Sequence, residues 1–218
     1  MEKLRRKFYR MEYKYGRYAI KNLMMYITVT MLAVYVLNFM LNVPIIPSLF
    51  FSRGAIMHGQ IWRLITFIFI PPLNTSVFMV AIAMYFYYSV GTTLESYWGS
   101  FKFNIYYLLG IIGAIVAGFI SGYGDTTYLN LSLLLAFSQL FPDQQFLLFF
   151  IIPIKAKYLG YFNLLLFALA FLTGNFATKM AIVFSLINFF LFFGSDFMND
   201  MKYRINIYKN KKRFKNKF

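Results

Sequence analysis

A chain of 218 residues that is 60% apolar and only 13% charged is too apolar for a water-soluble domain, which usually carries about 45–50% apolar residues. Its net charge of +15 would suit a nucleic-acid binder, but eight Lys/Arg fall in residues 1–21 and eight in 202–217, the juxtamembrane clustering that orients a membrane protein on anionic lipid. The absence of cysteine excludes disulfide frameworks, cysteine metal sites and a thiol nucleophile.

Residues 1–21 form a basic segment in which Leu4, Phe8, Met11, Tyr15 and Tyr18 recur at spacings of four and three. An amphipathic helix on the inner leaflet and a frayed basic tail both fit that pattern. It does not open a signal peptide, because the basic stretch runs on to Lys21 and the helix after it looks uncleaved. The first span, 22–41, is twenty residues without a charge, enough to cross a hydrocarbon core of about 30 Å. The segment 42–72 holds Arg53, His58 and Arg63 among many apolar residues. It is too polar to span, and Ile61, Leu64, Ile65, Ile68 and Phe69 share one helical face, as an in-plane element at the interface would require.

Further spans are expected at 75–94, 103–121, 126–141, 158–172 and 180–194. A polar turn at 122–125 and Pro142 bound the short fourth span. The stretch 146–153 is too short to span, and Lys155 and Lys157 block its continuation. It is read as an extended segment on the inner interface. The last segment, 196–218, is a basic cytoplasmic tail. Six spans in residues 22–195 make an all-α, polytopic bundle with both termini on one side. With the termini cytoplasmic, only Arg53, Arg63 and Lys179 of the 22 Lys/Arg fall outside, in agreement with the positive-inside rule. The expected location is the cell membrane.

Several stretches resemble the rhomboid superfamily, which includes intramembrane serine proteases and inactive relatives such as the derlins. Trp62-Arg63 sits in the long first loop, within Gly59-Gln60-Ile61-Trp62-Arg63-Leu64-Ile65-Thr66. Gly91 and Glu95 close the second span, and Trp98-Gly99-Ser100-Phe101-Lys102-Phe103, then Tyr106, open the third. The six-helix rhomboid-like layout and its long first outer loop are similar too, so the resemblance covers roughly 22–195.

The chemistry departs from that family. Its proteases need a Gly-x-Ser-Gly serine in the fourth span and a histidine in the sixth, because a hydroxyl is a poor nucleophile without a base in reach. Here the fourth span reads Asn130-Leu131-Ser132-Leu133 and the sixth has no histidine. The family's oxyanion-stabilising histidine and asparagine are not recognisable in the second span. The chain's one histidine, His58, lies in the first loop. The resemblance therefore implies a pseudoprotease, derlin-like, with no catalytic residue, metal or cofactor. It would bind transmembrane or membrane-associated clients, as in membrane-protein quality control. Asn130, Ser132, Gln139, Ser185 and Asn188 are the candidate client-binding polar groups inside the bundle. Membrane lipids of the anionic inner leaflet are the other partners, and nucleic acid is not one.

Two alternatives stand beside this reading. One is an active serine protease with a Ser132/Lys179 dyad, since serine–lysine pairs do catalyse acyl transfer. The other is a small transporter or channel, against which no span core carries an acid or base. Gly91 with Glu95 is expected to anchor the second helix end, and Trp62 with Arg63 to serve as an interfacial aromatic and a snorkelling cation. Gly110, Gly113, Gly118 and Gly122 should let the third helix pack closely. The fourth and sixth spans, 16 and 15 residues, fall short of the bilayer. Either neighbours shield them or they thin the membrane locally; thinning near the sixth is expected, from its apolar run Phe189, Phe190, Phe192 and Phe193.

Overall fold

The computed structural model describes residues 11–73, 76–148 and 152–193. Five helical stretches in it are long and apolar enough to cross a membrane: Met11–Met40, Val77–Trp98, Ser100–Ser121, Ala156–Thr173 and Phe176–Phe193. Within the first, the regular helix is α1 (Leu23–Tyr35), which widens into a π-type turn over Val36–Met40. The others are α2 (Val77–Trp98), α3 (Ser100–Ser121), α5 (Ala156–Thr173) and α6 (Phe176–Phe193). Between α3 and α5 lies α4 (Thr127–Leu140), only 14 residues long and therefore about 21 Å.

Punctuation follows the residues. The Ser76 hydroxyl accepts the Met79 amide and starts α2. Gly99 and Gly122, at φ +83° and +95°, adopt the left-handed region that side chains avoid, and end α2 and α3. The Asn175 side chain accepts the Thr178 amide at 2.9 Å and starts α6. That cap corrects the expected start at 180. Lys179 lies inside the first turn, and α6 runs at least 18 residues, about 27 Å.

The short helix is the centre of the molecule. Leu129, Asn130 and the run Ser132–Phe137 are all buried, against α2, α3 and α5. α6 joins them, because the Ser185 hydroxyl donates to the Tyr128 carbonyl of α4. Longer neighbours therefore shield α4 from lipid. The case for thinning at α6 also weakens, since the helix is longer than expected. Its phenylalanines divide: Phe189 and Phe193 are buried in the bundle, and Phe190 is exposed.

Two small two-stranded pairings mark the ends of the bundle. β1 (Phe51–Ser52) pairs antiparallel with β2 (Tyr123–Gly124), so the long loop 42–73 docks on the turn between α3 and α4. At the opposite end β3 (Gln145–Leu148) pairs with β4 (Ile152–Lys155). The stretch read as extended is thus a β-hairpin, held by the Phe146 ring at 4.7 Å from Phe86 and 5.0 Å from Phe137. The loop does not form one amphipathic face. It breaks into turns at Ile46–Leu49, Arg53–Met57, Arg63–Thr66 and Phe67–Phe69. Phe67 and Ile68 enter the core, and Ile61 and Ile65 point outward. Gly59 at φ +95° ends one turn before the next can continue it.

At the N-terminus, residues 11–15 are helical and Gly16–Tyr18 is a tighter turn. Met11, Tyr15 and Tyr18 are exposed, and Glu12 pairs with Lys102 at 3.7 Å. Leu4, Phe8 and the tail 196–218 lie outside the described residues.

The two strand pairs give the topology a direct check. Single cysteines replacing Tyr123 and Asp143 in this cysteine-free chain should label from opposite sides of a sealed membrane with an impermeant maleimide. Labelling of both from one side would contradict the arrangement.

Candidate functional site

Three clusters gather the residues singled out in the sequence. The first is in the loop. A short helix such as Ile46–Leu49 leaves its last carbonyls unpaired. Three side chains from the next turns answer them. The Arg63 guanidinium donates to the Pro47 and Phe50 carbonyls at 2.9 and 2.7 Å, and to the Gln60 side chain at 2.6 Å. The Trp62 indole donates to Ser48 at 3.2 Å, and the Thr66 hydroxyl to Leu49 at 3.1 Å. Arg63 is therefore a staple across the loop and not a snorkelling cation. Thr66 was not anticipated, although its i+3 spacing from Arg63 was legible.

The second cluster joins α1 to α2. The first amides of a helix have no intrahelical partner and carry partial positive charge. Glu95, 6% exposed, supplies the acceptors. Its Oε1 takes the Asn22 amide at 2.7 Å and its Oε2 the Leu23 amide at 3.1 Å. The Ser100 hydroxyl donates to Oε1 at 2.7 Å, which ties in the start of α3. One turn back on α2, a β-carbon at Gly91 would run into the Met24 side chain. Gly91 lets the helices touch, and Glu95 fixes where.

The third cluster is the polar interior. Asn130, Ser132, Ser185 and Asn188 are all buried, and each hydrogen bond they make ties one helix to another or to itself. Tyr107 donates to Asn130 at 3.3 Å, and Asn188 donates to the Tyr106 carbonyl at 3.1 Å. These four therefore tie the helices of the bundle together, and none of them lies at its surface. Buried amides and hydroxyls in an apolar medium must find partners, and the nearest lie on adjacent helices. Gln139 alone of the set is half-buried, lining a groove among α4, α5 and α6. Asn163 on α5 was missed: its amide donates to the Leu131 carbonyl at 2.7 Å. A lone asparagine among apolar residues was the available signal.

Ser132 is fully buried; its hydroxyl lies 2.9 Å from the Tyr106 hydroxyl and donates to the Leu129 carbonyl at 2.7 Å. Neither neighbour is a general base. Lys179 sits in the first turn of α6, nine residues before Asn188, which bonds the same Tyr106. That places it about 13 Å along the helix from this level. His58 is exposed in the loop, its Nδ1 at 2.7 Å from the Gly54 carbonyl. Among the described residues no three His, Asp or Glu side chains are grouped to hold a metal.

The α3 glycines divide. Gly110 packs on Leu129 and Asn188, Gly113 on Phe184, and Gly118 on the Phe51 ring of the loop. Gly122 has nothing within 4 Å of its β-carbon position, so it is a helix cap and not a packing residue.

Outward-facing Val29, Leu108, Leu165 and Leu172, all at least half exposed, complete a surface that water would not tolerate and hydrocarbon would. A family described as "Eukaryotic integral membrane protein (DUF1751)" matches residues 25–127, a little under half of the chain. The chain is a multi-pass integral membrane protein. No curated protein matches it. The matched stretch of this membrane protein contains Trp62, Arg63, Gly91 and Glu95, and so most of the two staples.

Substituting either staple has a definite expected cost. Glu95→Ala should lower stability by about 2–3 kcal/mol, because it strands two helix-end amides and the Ser100 hydroxyl; thermal unfolding in detergent measures it. Arg63→Lys should not rescue the loop, since a point charge cannot reproduce the planar fork across three acceptors. Faster proteolysis within 42–57, with the membrane helices intact, is the expected readout.

Proposed function

We propose that this chain is a non-proteolytic, rhomboid-like membrane protein that binds transmembrane or membrane-associated clients, with both termini in the cytoplasm. The observation that carries the non-proteolytic part is the hydrogen bonding of Ser132. Its proton is committed to a backbone carbonyl and its other neighbour is a tyrosine hydroxyl, so nothing within reach activates it.

Client binding rests on the resemblance and on how α5 is held. α5 lays one narrow stripe, Ala156, Gly160, Asn163 and Phe167, into the bundle, and α4 is its main partner. Tyr158, Phe162, Leu165 and Leu169 turn to lipid on the far side. In lipid, helices associate through close packing and interhelical hydrogen bonds. An incoming client helix finds on α5 a face that no other helix among the described residues covers. With Asn130, Ser132, Ser185 and Asn188 buried between the helices, this face is the client surface in their place.

The test combines chemistry and capture. Purified protein in liposomes should leave a transmembrane reporter uncut. A photo-crosslinking residue at Leu165 should capture client helices in native membranes far better than one at Val29 on α1. Ser132→Ala should leave that capture unchanged. Reporter cleavage that Ser132→Ala abolishes would overturn the reading, and equal capture at Leu165 and Val29 would remove the client surface.

A further inference from the structure

On the hairpin side a groove of about 570 Å³ opens between α5 and α6, with Ser138 and Gln139 of α4 at its back. Its walls are membrane-spanning helices, so lipid is the medium that fills it. Its rim is charged. Lys155 and Lys157 lie 3.1 and 3.5 Å from the same oxygen, Oδ1, of Asp143. The Asp143 side chain is 72% exposed, and both lysines meet it at Oδ1. The two lysines and their hydrogen bonds hold the Asp143 carboxyl below its usual range, so the rim keeps both signs of charge.

The depth of these groups matters as much as their sign. Lys157 is in the first turn of α5, at the level where headgroups lie, with Tyr158 and Tyr161 beside it as interfacial aromatics. Leu164 lies seven residues on, about 10 Å deeper, facing Phe190 of α6 across the groove. A positive and a negative group at the surface, above an apolar slot running inward, is the complement of a zwitterionic lipid standing along a helix. A primary ammonium can donate hydrogen bonds to a carboxylate, and a quaternary one cannot.

We propose that this groove is a resident site for an ethanolamine phospholipid. The phosphate sits on Lys157, the ammonium on Asp143 Oδ2, and one acyl chain lies along Leu164 and Phe190. The groove residues Gly160, Tyr161 and Leu164 lie on the side of α5 that meets α6, beside the client face of Phe162 and Leu165.

The full-length protein, reconstituted in nanodiscs of phosphatidylethanolamine, phosphatidylcholine and phosphatidylglycerol with matched chains, is re-extracted and its retained lipid read by native mass spectrometry. Phosphatidylethanolamine should be retained about two- to fivefold over each of the others, the scale of one exposed ion pair. Asp143→Asn should erase that preference, and Lys157→Gln should lower retention of all three. A benzoylphenylalanine in place of Tyr161 should crosslink lipid. Equal retention of the three lipids, a preference for phosphatidylglycerol, or a preference that survives Asp143→Asn would overturn the proposal. So would a crosslink from position 161 to the chain's own C-terminal tail, to a second copy or to a client helix. Asp143 is on an exposed turn, so unfolding temperatures of the variants should match the parent.

Discussion

A helix of about 21 Å cannot cross a hydrocarbon core of about 30 Å with its ends in water, and α4 lies at the middle of the bundle under that constraint. α2, α3, α5 and α6 surround it, and the small residues at the contacts make the fit possible. Leu129 reaches Gly110 on α3, and Ser138 reaches Gly160 on α5. In hydrocarbon the polar groups on α4 need partners within the protein. Tyr106, Tyr107, Asn163 and Ser185 supply them. The hydrogen bonds that a soluble active site would keep free for substrate are here consumed in holding the central helix.

The same economy explains the loop and the first helix. Neither α1 nor the turn at Ile46–Leu49 has side chains of its own to close its open end: Asn22 makes no side-chain cap. The missing partners come from elsewhere, Glu95 from α2 and Arg63, Trp62 and Thr66 from later in the loop. The match over 25–127 includes Trp62, Arg63, Thr66 and Glu95, the side chains that supply these caps. A membrane helix tolerates many apolar substitutions, but a carboxylate facing two amides does not.

Much of this was legible before any coordinates. Uncharged apolar runs marked α1, α2, α3 and α5, and Glu95 was expected to find donors because a carboxylate near lipid must. The faces of the helices were another matter. In water, polar residues mark the outside of a helix; in lipid both faces are apolar, and the periodicity that separates them is lost. Asn130, Ser132 and Asn188 could have faced a client or a neighbour with the same sequence. The start of α6 was missed because Lys179 was treated as a boundary, whereas Asn175 three residues before Thr178 was the stronger sign. The hairpin at 145–155 was hidden because an apolar run of eight residues suits an interfacial stretch and a strand pair equally.

The Glu95 clasp also carries a meaning for synthesis. A nascent chain releases α1 well before α2, and during that interval the amides of Asn22 and Leu23 have no carboxylate to meet. Only when some seventy further residues have been made does Glu95 arrive, with Ser100 a turn later completing the set. The clasp between α1 and α2 can therefore close only after the α2–α3 turn has been made, by an acid that reaches back across two membrane helices.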